Sequence, residues 1–316
     1  MALKRRNFVL VVISSVTAAA AAASAALAQA PAPAGGAGGA PAQSASSIPD
    51  FTSAIWSHPM LGFEQPLSGP GPVVNTKRTP TGTSNTALLV GDYTNPILKP
   101  AAAEIVKKRG EISQSGLAFP DPDAMCAYEP VPYIFWNFEI QMLQRPDKVT
   151  ILYNHDHEFR EVRMNQPHPA KVVPSAHGDS VGHYEGDTLV IDTIGVKVGP
   201  YTMIDRLGTP YTEALHVVER YRLIDYEDAK DALARNEKEN SRASGGAEID
   251  PNYRGKVLQL HFTVEDPAVF TMPWTSTITY RPATGAWLDL ICAENVHQYY
   301  ADGRDAAVPH ADKPDF

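Results

Sequence analysis

The chain holds only two cysteines, Cys126 and Cys292, and neither sits in a C-x-x-C. A zinc site built on them would need ligands from elsewhere. No nucleophile elbow, P-loop, Rossmann glycine fingerprint or H-E-x-x-H is read in the sequence, so the commonest hydrolase, nucleotide-binding and metalloprotease signatures give no lead. Beyond residues 1–30 there is no apolar run of about eighteen residues, and no later membrane span is expected. Beyond those residues no basic cluster is read either. Lys and Arg number 27 against 36 Asp and Glu, for a formal charge of -9. An acidic chain of this kind is a poor nucleic-acid binder.

What is present begins with residues 1–30. Lys4, Arg5 and Arg6 precede an apolar stretch from Phe8 to Ala26, followed by two A-x-A sites, Ala26-Leu27-Ala28 and Ala28-Gln29-Ala30. This pattern predicts a secretory signal peptide. Arg5-Arg6-Asn7-Phe8-Val9 also fits a twin-arginine signal. Removing Lys4, Arg5 and Arg6 takes the formal charge from -9 to -12. Residues 31–47 are a Pro/Gly/Ala/Ser tract, expected to be a flexible linker. The remainder, 48–316, is expected to be one β-rich domain, located in the periplasm or secreted. In an oxidising compartment Cys126 and Cys292 are expected to pair, a cross-link worth roughly 4–5 kcal/mol on the chain-entropy account.

Residues 48–95, rich in Pro, Gly, Ser and Thr, predict irregular structure or short edge strands. Residues 96–109 predict a helix that begins at Pro96 or Pro100, fills its last turn with basic residues and stops at Gly110. Residues 117–132, rich in proline and acids around Cys126, predict a loop. From about Tyr133 the apolar period is two. Strands are expected at 149–153, 159–164, 213–224, 257–265, 275–280 and 287–292. A hairpin is expected at 180–184 and 188–194, turning at Glu185-Gly186-Asp187. Residues 226–250 are charged and predict a solvated helical insertion, with room to dock a second copy in a homo-oligomer. About eight short strands predict a mainly antiparallel all-β domain, a lipocalin-like barrel or a β-sandwich, with one N-terminal helix and the helical insertion.

Four clusters of ionisable residues could carry chemistry. In His155-Asp156-His157-Glu158-Phe159-Arg160-Glu161, a strand would put both histidines on one face, as two metal ligands require. With Glu161 this resembles half of a cupin metal motif, but the flanking glycines and the second half are missing. The bland alternative is a polar strand end. In the strand at 213–224, Glu219 falls within the apolar stripe of Leu215, Val217, Tyr221 and Leu223. A carboxylate there must be neutral or paired, so it is either a general acid or base with a raised pKa or half of an ion pair with an arginine on a neighbouring strand. Asp192 shares a face with Val190 and Ile194 and is read as inward, with Asp205 following in the next loop. Glu294-Asn295 with His297 follows Cys292. The face carrying Gln259, His261, Thr263 and Glu265 is expected to be solvated.

The segments ILYNHDHEFREVRM, GDSVGHYEGDTLVIDT, EALHVVERYRLID and EDPAVFTMPW, with an opening Asp50-Phe51-Thr52-Ser53-Ala54-Ile55-Trp56, resemble a widespread family of secreted bacterial β-rich proteins to which no activity is attached. The resemblance spans most of residues 50–295. The matching positions are Tyr153, His157 and Arg160, then Gly182, Glu185, Gly186, Asp187 and Asp192. Asp205, Gly208, Glu213, His216, Glu219 and Arg220 follow, with Glu265-Asp266-Pro267 and Pro273-Trp274 last. His155 has no counterpart. Tyr211 stands where the family has histidine, and 226–250 replaces a short turn. The resemblance implies one exported domain.

Together these point to an exported enzyme doing cofactor-independent acid–base chemistry (a lyase, isomerase or hydrolase step) on a small, partly apolar molecule. His157 or His216 would be the base, and Glu219 or Asp192 the acid or orienting group. His157 with Asp192 is the preferred dyad. Arg160 would clamp a substrate anion, and Tyr153 and Trp274 would wall the cavity. The alternatives are a non-catalytic lipocalin-like ligand-binding protein and a metal-dependent β-barrel enzyme.

Overall fold

The computed structural model describes residues 48–117, 119–136, 139–242, 247–287 and 291–292. The expected signal peptide and linker and the Glu294-Asn295-His297 cluster lie outside the described residues, as do 288–290 of the last expected strand. The strands are β1 (Trp56–Ser57), β2 (Met60–Leu61), β3 (Glu139–Gln144), β4 (Lys148–Tyr153), β5 (Phe159–Met164), β6 (Asp179–Glu185), β7 (Thr188–Ile194), β8 (His216–Asp225), β9 (Ser241–Arg242), β10 (Lys256–Glu265) and β11 (Trp274–Pro282). Nine of them close a barrel in the order β1-β11-β10-β8-β7-β6-β5-β4-β3, with β1 sealing the gap between β3 and β11. The fold is therefore all-β, as the period of two predicts, and of the two expected architectures it is the barrel that forms.

Alternation decides what fills it. Val217, Glu219 and Tyr221 of β8 are buried, as are Leu258, Leu260, Phe262 and Val264 of β10, while Gln259, His261 and Thr263 are partly exposed. The polar face of β10 looks outward, as expected. The inward set is large and includes Trp274, Phe262, Tyr153, Tyr221 and Tyr280, so side chains pack the interior as in small barrels generally. β6 and β7 form the expected hairpin, with Gly186 at φ 63 in its turn. β5 and β6 pair in parallel, Val162 beside Ser180. The connecting segment 165–178 must therefore run back along the barrel.

Two local expectations are corrected. Helix α1 is Pro100–Gln114, with no basic residue in its last turn, and it runs through Gly110 instead of stopping there. A Cβ at Gly110 would meet Val90 Cγ1 at 3.0 Å, so the missing side chain permits close packing mid-helix. Tyr133–Trp136 forms a 3₁₀ turn with all four side chains buried, where a period of two was expected. Helix α2 (Tyr226–Glu239) opens the insertion, buries Ala229 and Asn236, and lies against β8, β10 and β11 of its own barrel. Cys126 and Cys292 form a disulfide, with Cα atoms 5.5 Å apart. Among the described residues, no helix is long and apolar enough to cross a membrane.

Candidate metal centre at the end of the barrel

The ionisable residues named from sequence fall in three separate places. The first is the barrel interior. Arg160 of β5 donates from Nη1 and Nη2 to the two oxygens of Glu219 on β8, at 2.7 and 2.6 Å. The Tyr221 hydroxyl adds a bond to Glu219 Oε2 at 3.1 Å. Burial alone would lower the Arg160 pKa, but the Glu219 carboxylate outweighs it and holds the guanidinium above its ordinary range. Glu219 is thus the structural ion-pair partner of an arginine, not an acid or base. Arg160 is 2% exposed and already holds a carboxylate, which corrects its reading as a substrate clamp. Tyr153 and Trp274, expected as cavity wall, belong to the packed core. Trp274 packs against Phe63, Phe262 and Phe270.

The second place is the outer face. Asp192 points outward, not inward, and accepts from His216 Nε2 on the next strand at 3.1 Å. His168, from the 165–178 connection, also reaches Asp192 with Nε2 at 3.0 Å, and its Nδ1 lies 2.6 Å from Asp179 Oδ1. The hydrogen bond to Asp192 raises the His216 pKa, and the same bond lowers that of Asp192. The side chains of Asp192, His216 and His168 are 41%, 33% and 21% exposed, and none lines either of the two cavities described below.

His157 is elsewhere. It sits exposed in the β4–β5 turn with φ 51, after Asp156 at φ 52, so His155 and His157 do not share a strand face. Register aligns Asp192 with Val181 and Val181 with Arg163. Arg163 is six residues along from His157, so at about 3.3 Å per residue the preferred dyad is separated by on the order of 15–20 Å, too far for proton relay. The half-cupin pattern fails for the same reason. Glu161 points outward and pairs with Lys148 at 2.5 Å.

The third place is the barrel end formed by this turn, and it brings together residues that sequence spacing did not connect. His155 Nε2 lies 3.2 Å from Asp123 Oδ1, and its Nδ1 lies 3.6 Å from Glu129 Oε1 and 3.7 Å from Asp156 Oδ2. One ligand atom from each of Asp123, Glu129 and His155 lies within 4.8 Å of the others. Donors gathered this closely can share one ion. Two carboxylates and an imidazole suit a divalent cation such as Mn²⁺, Fe²⁺ or Zn²⁺. Supporting contacts surround the group. Glu158 Oε1 accepts from the Glu129 backbone N–H at 3.0 Å, and Glu158 Oε2 lies 2.5 Å from His177 Nε2. The Cys292 N–H donates to Asp156, and the Cys126–Cys292 bridge ties the acidic loop to this end.

Next to the group is a cavity of about 340 Å³, lined in part by Asp121, Asp123, Arg109 and Arg206. Burial raises the Asp121 pKa and lowers that of Arg109 to about 10. Arg109 stacks on Phe119 at 4.4 Å and donates to the Gly208 carbonyl. A second cavity, of about 70 Å³, shares Arg206 with the first and includes Trp136 and Asn240 in its wall. No strand of the closed barrel contributes to either wall.

Gly178-Asp179-Ser180-Val181-Gly182 does carry the letters G-x-S-x-G, which qualifies the absence of a nucleophile elbow. Ser180 nevertheless lies within β6, 4% exposed, with its hydroxyl 2.9 Å from Thr193 Oγ1, and no helix follows it. Asp205 and Asp266, matched in the resemblance, act as loop anchors. Asp205 accepts from Thr209 at 2.7 Å, and Asp266 from the Thr212 N–H at 2.6 Å. His168, His177, Asp123 and Glu129 had no sequence signal beyond their types. The acids crowded around a pairing cysteine were the one available clue. Compared with known protein families, curated proteins and solved structures, the chain finds no match.

Proposed function

We propose that the protein is an exported, divalent-cation-dependent enzyme of hydrolytic type, acting on a small molecule held at the end of the barrel. The observation that carries this reading is the approach of one ligand atom from each of Asp123, Glu129 and His155 to within 4.8 Å of the others, with Asp123 also in the wall of the 340 Å³ cavity. The cation, once bound, supplies a Lewis acid beside the substrate. Asp123 and Glu129 bring the negative charge that retains it, and His155 adds a neutral donor. Glu158 fixes the backbone of Glu129 and is itself oriented by His177. The disulfide holds the acidic loop against the turn that carries His155. Export is supported by the leader and by that long-range cross-link, which belongs to an oxidising compartment.

Acid–base chemistry without a cofactor keeps one point in its favour, the hydrogen-bonded His216–Asp192 pair. It ranks lower because neither cavity reaches that pair. The lipocalin-like alternative loses its premise, since the barrel interior is filled and crossed by the Arg160–Glu219 bridge.

Isothermal titration of the metal-stripped mature protein with Mn²⁺, Fe²⁺ or Zn²⁺, checked by elemental analysis, tests the proposal. About one equivalent should bind, and His155→Ala and Glu129→Gln should each weaken binding by roughly tenfold or more. Less than about a tenth of an equivalent with all three metals sinks it.

A further inference from the structure

Three hydrogen-bond donors are buried together without acceptors beside the proposed centre. The Tyr133 hydroxyl, the Trp136 Nε1 and the Arg206 Nε are each inaccessible and have no hydrogen-bond partner among the described residues. Tyr133 and Trp136 are three apart on a 3₁₀ turn, a spacing that places side chains on one side, and their rings meet edge-on at 5.3 Å. Arg206 lies with its Cζ 5.2 Å from the centroid of the Trp136 ring. Its guanidinium is in the wall of both cavities and makes no ion pair of 4 Å or less among the described residues. Arg109, the other cation of the larger cavity, donates to the Gly208 carbonyl and feels the charge of Asp205, whereas Arg206 feels the charge of Asp121 without a contact of 4 Å or less among the described residues. Burial holds the Tyr133 pKa well above its ordinary value, so the phenol remains a donor at neutral pH.

Unmatched donors in a buried setting call for an acceptor, and a guanidinium among them favours a charged one. We propose that Arg206, Tyr133 and Trp136 form an oxyanion-binding pocket that takes a carboxylate or phosphate group of the substrate next to the Asp123–Glu129–His155 centre. This rests on the reading above for its role in catalysis, though anion binding itself does not require the metal. Arg206 is the member that reaches the larger cavity, where Asp121 and Asp123 oppose an anion; Trp136 lines only the smaller cavity, and Tyr133 lines neither. The pocket therefore requires the guanidinium, and Arg206 is its main determinant.

The test is isothermal titration of the full mature protein, stripped of divalent ions, with inorganic phosphate and separately with succinate. One of the two should bind saturably, which identifies phosphate or carboxylate as the class. Arg206→Ala should weaken that binding by roughly tenfold or more, and Tyr133→Phe and Trp136→Phe by about threefold each, with the fold retained in each variant. His155→Ala should lose metal and keep the anion, while Arg206→Ala should keep metal and lose the anion. Binding of neither probe overturns the proposal, as does unchanged affinity in Arg206→Ala. Full retention of affinity in both Tyr133→Phe and Trp136→Phe means that ordered water alone meets these donors, and also overturns it. Failure of metal binding with retained anion binding removes the proposed function and leaves the anion pocket standing.

Discussion

Inside the barrel, Arg160 and Glu219 meet charge to charge, both oxygens taken by both terminal nitrogens, and the pair is sealed by Tyr221 and the surrounding core. At the barrel end, Asp123, Glu129, His155 and Asp156 bring three carboxylates to one imidazole, and nearby Tyr133, Trp136 and Arg206 keep donors without acceptors. Both regions withdraw ionisable groups from water. In the first, opposite charges answer one another within the chain. In the second, three carboxylates gather around one imidazole, and three buried donors meet no acceptor among the described residues. Buried charge alone therefore does not mark a functional site. Unmet donors alone do not mark one either, since Arg160 Nε, Tyr153 Oη and Trp274 Nε1 are buried without partners in the interior as well; what sets the barrel end apart is that its ligand-type side chains gather beside a cavity.

Cutting the staple that shapes the second region should have the largest effect. Cys126→Ser with Cys292→Ser frees a cross-link between residues 166 apart. Denaturant unfolding should show a loss of about 5 kcal/mol on the chain-entropy account. Metal binding should fall with it even where the barrel stays folded. Next comes the interior pair. Glu219→Gln leaves a guanidinium buried without its counter-charge and should cost roughly 3–5 kcal/mol. The double replacement Arg160→Met with Glu219→Leu should recover much of that loss, because hydrophobic substitutes can match a buried ion pair. A double variant as unstable as the single one would mean that the pair is needed for more than mutual neutralisation. By contrast, Asp123→Asn should change the stability of the metal-stripped protein by less than about 1 kcal/mol, because its side chain is 38% exposed and its charge is partly screened. A large loss there would erase the distinction between the two regions.

The outer-face trio gives the smallest effect and a control for both. Asp192 raises the pKa of His216 above 6.5, so that contribution is present below 6.5 and fades as the pH climbs through the raised value. His216 lowers the pKa of Asp192 below 3.8, so that contribution is present above 3.8 and fades as the pH falls through the lowered value. The pair should therefore help most between these limits. Asp192→Asn should cost about 0.5–1 kcal/mol near pH 5.5 and less near pH 9, measured by urea unfolding at both.

The strands were legible because burial on one face imposes a period of two, which Val257 to Glu265 satisfies in only one register; barrel and sandwich share that period, and Phe159 to Met164 departs from it, with Phe159 outward and Arg160 inward. Glu219 was half legible. Its place in an apolar stripe demanded a partner or neutrality, but the partner lies on a strand distant in sequence, and only closure of the barrel identifies Arg160. The barrel-end cluster was not legible. Asp123, Glu129 and His155 come from loops without periodicity, and a disulfide whose loop spans half the chain assembles them. Gly110 misled for a local reason, since a glycine that ends many helices here serves close packing against Val90.

The parallel neighbours β5 and β6 oblige residues 165–178 to travel back along the outside of the molecule. That strap is largely exposed and carries Pro167, Pro169 and Pro174. Near its start His168 grips the outer-face acids, and near its finish His177 steadies Glu158. A single protease nick midway would leave every barrel strand whole yet place these two histidines on separate loose ends, uncoupling the flank of the molecule from its mouth.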